Sequence, residues 1–384
     1  MAPLTYHVLL VGATGYIGGT VLNRLMKTVD SLSNIASLSF LIRGQEKAEK
    51  LKKTYGNRIK PVFFDTLDNT ANVSEICSHY DIVVNAGTGF HPLGAEAMVQ
   101  GLGKRLATTR NTTWMIQSAG GSNVYGKPIT DDPPQAPRSF DDANGEEMYE
   151  FMKTEQARDP YPQREAELRV IEAGLQTGVK TISVHVPTVV GHGEGAFAVG
   201  GVQVPQMMHY VLEKGYGFQF GDGSAILGIC NVSDLADVYI LLLRHVLTDG
   251  GVQLPTGKAG MIIPHTARIT VRDLALGCLE AAFARGILPK LGGPRKMEVR
   301  QVSVQQIGDE LFHGNYQVAE KGWGGYWIHM PTLARKLGWK PTKIITDWSK
   351  EFEDELDAVL EGQRTDNIGA TLALQSNGKL IGVV

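Results

Sequence analysis

Three glycines at a spacing of three, Gly12, Gly15 and Gly18, are the residues of this chain best suited by type and position to hold a reactive ligand. They follow the apolar run Val8-Leu-Leu-Val11 and precede a helix-like stretch, in the order strand, turn, helix. Glycine at the first position permits a tight turn, at the second lets the backbone approach a pyrophosphate, and at the third lets helix and strand pack closely. The helix that follows offers free N–H groups and a positive dipole end to phosphates. Thr14, Tyr16 and Ile17 sit within the same turn and share its ligand. The next strand ends predict which dinucleotide it is. An Asp or Glu that reads the ribose would mark NAD, but here the second strand runs into Arg43, with Lys47 a turn later. An arginine there can grip the 2′-phosphate of NADP with two N–H groups, so NADP(H) is expected over NAD(H). Asp65, after the third strand, is placed to bond the adenine amino group. Asn85, Ala86 and Gly87, after the fourth, would line the ribose and pyrophosphate.

These residues need a sheet that brings several strand ends to one edge. Apolar, β-rich runs at 7–11, 38–42, 61–64, 82–85, 113–117 and 179–185 alternate with helix-like segments at 17–26, 46–53, 73–79, 93–106 and 164–173. That alternation is the pattern of an α/β protein with a parallel sheet covered by helices. Runs apolar at nearly every position fit strands buried on both faces. The stretch 131–162 breaks the rhythm with prolines and acidic residues, and reads as a long excursion carrying one helix near 145–156. A further helix is expected at 232–247, opened by Asn231 or Ser233 as its cap.

Composition narrows the classes. With 384 residues the chain can bury a large core. Its 45 glycines exceed the usual share of about 7%, without the period or low apolar content of a fibrous or disordered chain. A formal net charge of -3 argues against a dedicated nucleic-acid or anionic-membrane binder. The 3 cysteines are far apart, so neither a disulfide framework nor a zinc site is read from them. The longest aliphatic run, Val238-Tyr-Ile-Leu-Leu-Leu243, is far short of the roughly 20 residues of a membrane span. A cytoplasmic protein without a metal is expected, and a homodimer is compatible with the sequence. No nucleophile elbow, phosphate-loop or zinc-protease motif is present.

Further stretches extend the pattern: Leu41-Ile-Arg43, Phe64-Asp65, Asp81-Ile-Val-Val-Asn-Ala-Gly87, Val124-Tyr-Gly126, Val186-Pro-Thr188, Asn231-Val-Ser-Asp-Leu-Ala-Asp237 and Arg335-Lys-Leu-Gly-Trp339. Together with the glycine turn, these resemble the extended or atypical short-chain dehydrogenase/reductase superfamily. More narrowly, they are similar to its fungal NAD-dependent epimerase/dehydratase-like and NmrA-like members. The resemblance spans residues 8–339. It implies a Rossmann-type doubly wound parallel sheet with a smaller C-terminal α+β substrate lobe. Residues 1–190, with about 228–250, would form the NADP-binding domain. Residues 191–227 and 251–348 would form the substrate lobe, and 366–384 a polar tail. It also places Pro187 and Thr188 beside the cofactor.

In this superfamily a Ser or Thr after the fifth strand steadies the substrate oxygen. A Tyr-x-x-x-Lys on the next helix moves the proton, the lysine lowering the tyrosine pKa. By that resemblance Ser118 is the hydroxyl, serving substrate and cofactor, and Tyr149 with Lys153 is the matching Tyr-x-x-x-Lys. Pro160 and Pro162 separate that pair from the helix entering the sixth strand. Tyr161 opens a better helical match, but there the lysine position falls on Glu165, or on Gln163 in a shifted register. Neither supplies a cation, although Arg164 is adjacent. Tyr125, Lys127, His185 and His192 are alternative proton carriers, with His192 favoured by its place in a glycine-rich loop and His185 read as structural.

Three functions follow from these residues. The leading one is an NADP(H)-dependent oxidoreductase acting on a hydrophobic carbonyl or alcohol, of the polyketide or terpenoid kind found in secondary metabolism. The second is a redox-silent isomerase, lyase or cyclase on the same fold. The third is an NmrA-like regulator that senses the dinucleotide. The stretch Gly322-Trp-Gly-Gly-Tyr-Trp327, with Phe197, Met207, Met208, Tyr210 and Phe218, is expected to line an apolar pocket for a small hydrophobic substrate. Arg295 and Lys296 are the residues that a nucleotide-sugar diphosphate would call on.

Overall fold

Val8 and Leu10 of the first strand face one side of a sheet and Leu9 and Val11 the other, all four at 2% exposure or less. This is the period of two expected of a strand with both faces covered. The computed structural model describes residues 5–28, 32, 34–87, 89–133, 135–197 and 200–363. The expected tail at 366–384 lies outside the described residues.

In chain order the strands are β1 (Tyr6–Val11), β2 (Ile35–Ile42), β3 (Ile59–Phe63), β4 (Ile82–Asn85), β5 (Trp114–Gly120), β6 (Lys180–Val186), β7 (Thr188–Val190), β8 (Gly217–Gln219), β9 (Ile226–Asn231), β10 (Met261–Ile262), β11 (Ala267–Thr270) and β12 (Val299–Gln301). Seven of them form a sheet in the order β3-β2-β1-β4-β5-β6-β10, with every pairing parallel. The order reverses between β1 and β4. In a doubly wound sheet that reversal opens a crevice at the carboxyl ends of the strands.

The helices are α1 (Tyr16–Thr28), α2 (Gln45–Tyr55), α3 (Thr70–Cys77), α4 (Pro92–Thr109), α5 (Gly145–Arg158), α6 (Pro162–Thr177), α7 (Gln203–Lys214), α8 (Val232–Asp249), α9 (Val271–Ala284), α10 (Val304–Leu311), α11 (Tyr316–Trp323), α12 (Thr332–Lys336) and α13 (Trp348–Leu360). Residues of α1, α2 and α8 fill one face of the large sheet, and residues of α3, α4 and α6 fill the other. Asn231 caps α8 by accepting from Ser233 N, as its residue type predicts. No helix among the described residues is long and apolar enough to cross a membrane.

A second core lies in the C-terminal half, where Met207, Tyr210, Phe218, Leu274, Trp323 and Phe352 pack together. It is mainly helical, with small sheets ordered β11-β9-β7 and β12-β8. Two pieces expected within the smaller lobe join the large sheet instead. Met261–Ile262 pairs with β6 as an edge strand, and Ala334 and Trp339 enter the core around α8. The reason is local: Trp339 Nε1 donates to Asp234 O at 2.8 Å, while Asp234 accepts from Thr342 N and Lys343 N, both at 2.8 Å. The Asn231–Asp237 and Arg335–Trp339 motifs thus fasten the chain's later segment to α8. Helix α13, beyond the expected lobe boundary, packs into the second core through Phe352, Leu356 and Val359.

Candidate active site

A cleft of about 620 Å³ runs between the carboxyl ends of the large sheet and the C-terminal helices. One end is the glycine turn. Gly12 has φ 89°, a conformation that side chains disfavour, and a Cβ on Gly18 would lie 2.1 Å from Gly12 O. A Cβ on Gly12 would lie 2.6 Å from Gly87 Cα, so turn, α1 and the end of β4 meet backbone to backbone. Helix α1 carries no acidic residue in its first turn, which leaves its N-terminus free for an anion.

Gly12, Thr14, Gly15, Tyr16, Ile17, Lys47, Ala86, Gly87, Ser118, Pro187 and Thr188 all line the cleft. Gly18 serves from behind, as the helix–turn contact. Asn85 is 3% exposed and accepts from Gly87 N at 3.2 Å, which shapes the turn rather than lining the cleft. Arg43 and Asp65 lie off the lining. Arg43 stacks over Phe64 at 5.7 Å from the ring. Asp65 is exposed and accepts from Thr66 N and Asn69 Nδ2, bonds that hold its carboxyl below the usual range.

At the other end of the cleft stands Tyr161. It is the N-cap of α6 in an extended conformation, immediately before Pro162 at the helix's first position. Ser122 Oγ donates to Gln163 Oε1 at 2.9 Å, and the Tyr161 hydroxyl lies 3.2 Å from Ser122 Oγ and 3.3 Å from Gln163 Oε1. All three side chains line the cleft. Ser118 lines it too, but its hydroxyl bonds Tyr239 Oη of α8 at 2.7 Å. The serine that reaches the tyrosine is therefore Ser122. Burial pushes the Tyr161 phenol up to about 12, the Ser122 bond and the Arg164 charge opposing. The group keeps its proton at neutral pH.

Two cations flank the Tyr161 ring, neither in Tyr-x-x-x-Lys register. Arg164, at 5.7 Å from the ring, is 0% exposed and is tied to the carbonyls of Asn123, Tyr125 and Asp159. Lys321, from α11, lies 5.2 Å from the ring and lines the cleft. Its ammonium meets Asp159 Oδ2 at 3.1 Å, Gly126 O at 3.2 Å and Tyr125 O at 3.4 Å. Burial brings that ammonium down to about 8, with Asp159 opposing. Nothing in the sequence around Lys321 linked it to Tyr161, because the two are brought together only by the packing of α11 on the turn before α6. Glu165 turns away and pairs with Arg169 at 2.8 Å.

The remaining candidates stand apart from the cleft. Tyr149 is 3% exposed in a cluster with Met148, Met152 and Ile263, and its hydroxyl donates to Glu172 at 3.1 Å. Lys153 lies 3.6 Å from the same Glu172 carboxylate. The pair is brought together at Glu172 of α6, and neither residue lines the cleft. His192 is exposed in its loop and does not line the cleft either. His185 is fully buried against Glu167 at 2.7 Å, which fits its structural reading. Tyr125 lines the cleft, while Lys127 pairs with Asp159 at 2.9 Å. Of the expected pocket residues, Phe197, Gly322, Trp323 and Trp327 line the cleft. Met207, Met208 and Tyr210 of α7 and Phe218 of β8 are core residues at 2% exposure or less, packed together in the second core. Arg295 and Lys296 are exposed and off the lining.

The comparisons with known proteins bear on the family and the fold. Residues 8–252 match the model of the NAD dependent epimerase/dehydratase family. The oxidase ucsJ of Acremonium sp is 26% identical over 299 residues, which cover 74% of this chain and 81% of that protein. Among solved structures, the dTDP-glucose 4,6-dehydratase DesIV of Streptomyces venezuelae superposes with a TM-score of 0.59 at 14% identity, covering 93% of this chain and 98% of that one. Vestitone reductase from alfalfa, Medicago sativa, gives 0.52 at 13% identity, covering 94% and 100%. At these identities the structures show a shared fold.

Proposed function

Since the chain belongs to the NAD dependent epimerase/dehydratase family, we propose that it is an NADP(H)-dependent oxidoreductase acting on an uncharged, apolar molecule that carries a carbonyl or alcohol. One observation carries this reading: the glycine turn and the Tyr161–Ser122 pair open into the same cleft. The backbone-to-backbone Gly12–Gly18–Gly87 contact fits a dinucleotide turn, since side chains there would push the turn, α1 and the end of β4 apart. A nicotinamide held at that turn would supply or accept the hydride. Tyr161, protonated, would donate to the substrate oxygen, and Ser122, turning its hydroxyl proton from Gln163 Oε1, would steady that oxygen. Thr14, Gly15 and Ile17 would hold the phosphates through the start of α1, and Lys47 with Arg43 the 2′-phosphate.

Charge favours the apolar substrate. Besides Lys47 at the dinucleotide end, the cation lining the cleft among the described residues is Lys321, and its ammonium already meets three acceptors. A sugar diphosphate would find little there to pair with. Phe90, Phe312, Val318, Trp323 and Trp327 supply an aromatic and aliphatic wall.

The neutral Gln163 beside Tyr161 favours a second reading, a redox-silent isomerase, lyase or cyclase in which Tyr161 polarises a carbonyl without a tyrosinate ever forming. Following NADPH consumption with a panel of apolar ketones separates the two. The first reading expects stoichiometric NADPH loss, reduced about 10²-fold or more by Tyr161→Phe and unchanged by Tyr149→Phe. Product formed without NADPH loss supports the second reading. Full activity of Tyr161→Phe overturns both.

A further inference from the structure

Gln206, on α7, is 2% exposed and lines the cleft. Its Oε1 accepts from Trp323 Nε1 at 3.2 Å. An indole N–H can only donate, so the amide oxygen must face Trp323 and the –NH₂ must face away. Trp323 is itself fully buried and packs edge-on against Phe218 at 5.0 Å, so the amide cannot turn by moving its partner. The Nε2 thus held has no hydrogen-bond partner among the described residues. Buried polar groups are paired as a rule, so an enclosed, unpaired N–H in a residue of the cleft wall suits an acceptor that arrives with the ligand and shifts that wall.

A second donor behaves the same way. Trp327 is 2% exposed and lines the cleft, and its indole is fixed between Gly121 and Gly228, where a Cβ would meet the ring at 1.8 Å and 2.4 Å. Its Nε1 is also without a partner. Both groups come from the C-terminal half, and both donate without accepting. The wall around them is apolar, with Leu227, Phe312 and Val318, and Lys321 is already saturated. The matching ligand group is an uncharged acceptor oxygen.

We propose that the substrate carries, besides the oxygen presented to Tyr161 and Ser122, a second carbonyl-type oxygen that does not react, and that the Gln206 amide N–H reads it. The substrate class is then an apolar dicarbonyl or a keto-ester or keto-lactam, rather than a simple ketone. This rests on reading the cleft as the active site. A site built around a buried donor discriminates strongly against an analogue that lacks the acceptor, since the donor is then left unpaired.

The test uses the full chain saturated with NADPH and a matched pair of probes, the bicyclic Wieland–Miescher diketone and the octalone that lacks its second carbonyl. Saturation-transfer NMR gives both dissociation constants into the millimolar range. Wild type is expected to bind the diketone at least tenfold more tightly. Two variants remove the donor: Gln206→Met, and Gln206→Glu, which keeps an acceptor for Trp323. In both, the preference is expected to fall below threefold with octalone and NADPH affinities unchanged. Retention of the preference in either variant overturns the proposal, as does wild-type binding of both ketones without discrimination. Binding of neither ketone to the NADPH-loaded protein overturns it together with the active-site reading.

Discussion

The hydroxyl of Tyr161 lies 3.2 Å from Ser122 Oγ, across the junction between the segment after β5 and the start of α6. Four residues earlier, within β5, Ser118 points instead at Tyr239 and so bridges the large sheet to α8. The two serines therefore have separate tasks. Ser122→Ala should lower kcat by about 10²-fold with little change in KM for NADPH. Ser118→Ala should cost about 1 kcal/mol of stability through the Tyr239 bond, read by urea denaturation. Equal kinetic effects of the two substitutions would remove the assignment to Ser122.

The proposed choice of NADP(H) rests on Arg43 and Lys47. Arg43→Ala and Lys47→Ala should each weaken NADPH about tenfold, by loss of a charge-assisted contact to the 2′-phosphate, and leave NADH unchanged. Fluorescence titration of the reduced nicotinamides measures both. A wild-type preference for NADH sinks the argument at once.

Lys321 makes stability depend on pH in a stated direction. Its ammonium titrates near 8 in the folded chain against 10.5 in the unfolded one. Between those values the unfolded chain holds a proton that the folded chain lacks, so raising the pH favours folding. The contribution is complete above 10.5 and is lost as pH falls through 8. Thermal unfolding of wild type and Lys321→Met from pH 7 to 10 should therefore show wild type gaining on the variant as pH rises. Parallel curves would contradict the buried, charged setting of this lysine.

His185 of β6 and Glu167 of α6 form a pair at 0% and 1% side-chain exposure. Burial would raise the Glu167 carboxyl, but the His185 charge and hydrogen bonds from His185 and Asn123 carry it below its ordinary value. Glu167→Ala leaves the imidazole buried without its partner and should destabilise the protein by about 3–5 kcal/mol. Urea unfolding measures the loss, and a change under 1 kcal/mol would mean that the pair is not closed in solution.

The strands and helices of the first half were legible in the sequence because each carries its own period. Val8 to Val11 alternate between two buried faces, and α1 follows a glycine turn whose purpose depends on only a few consecutive residues. Local chemistry was enough there. It also told where a lysine was missing, since the neutrality of Gln163 is a fact of the chain itself.

What faces Tyr161 could not be read that way. Tyr149 and Lys153 have the right types at the right spacing, yet α5 turns them toward Glu172 and away from the cleft. The sequence by itself determined a parallel α/β sheet, a dinucleotide turn and a tyrosine opening α6. Only the tertiary structure decided that Ser122 rather than Ser118 meets that tyrosine, that Lys321 from α11 flanks it, and that Gln206 presents a donor without a partner. Those contacts join residues from about 40 to 160 positions apart, and Gln206 and Trp323 are held together by a bond spanning 117. Sequence spacing carries no information at such separations, because the packing of the C-terminal helices onto the sheet sets them.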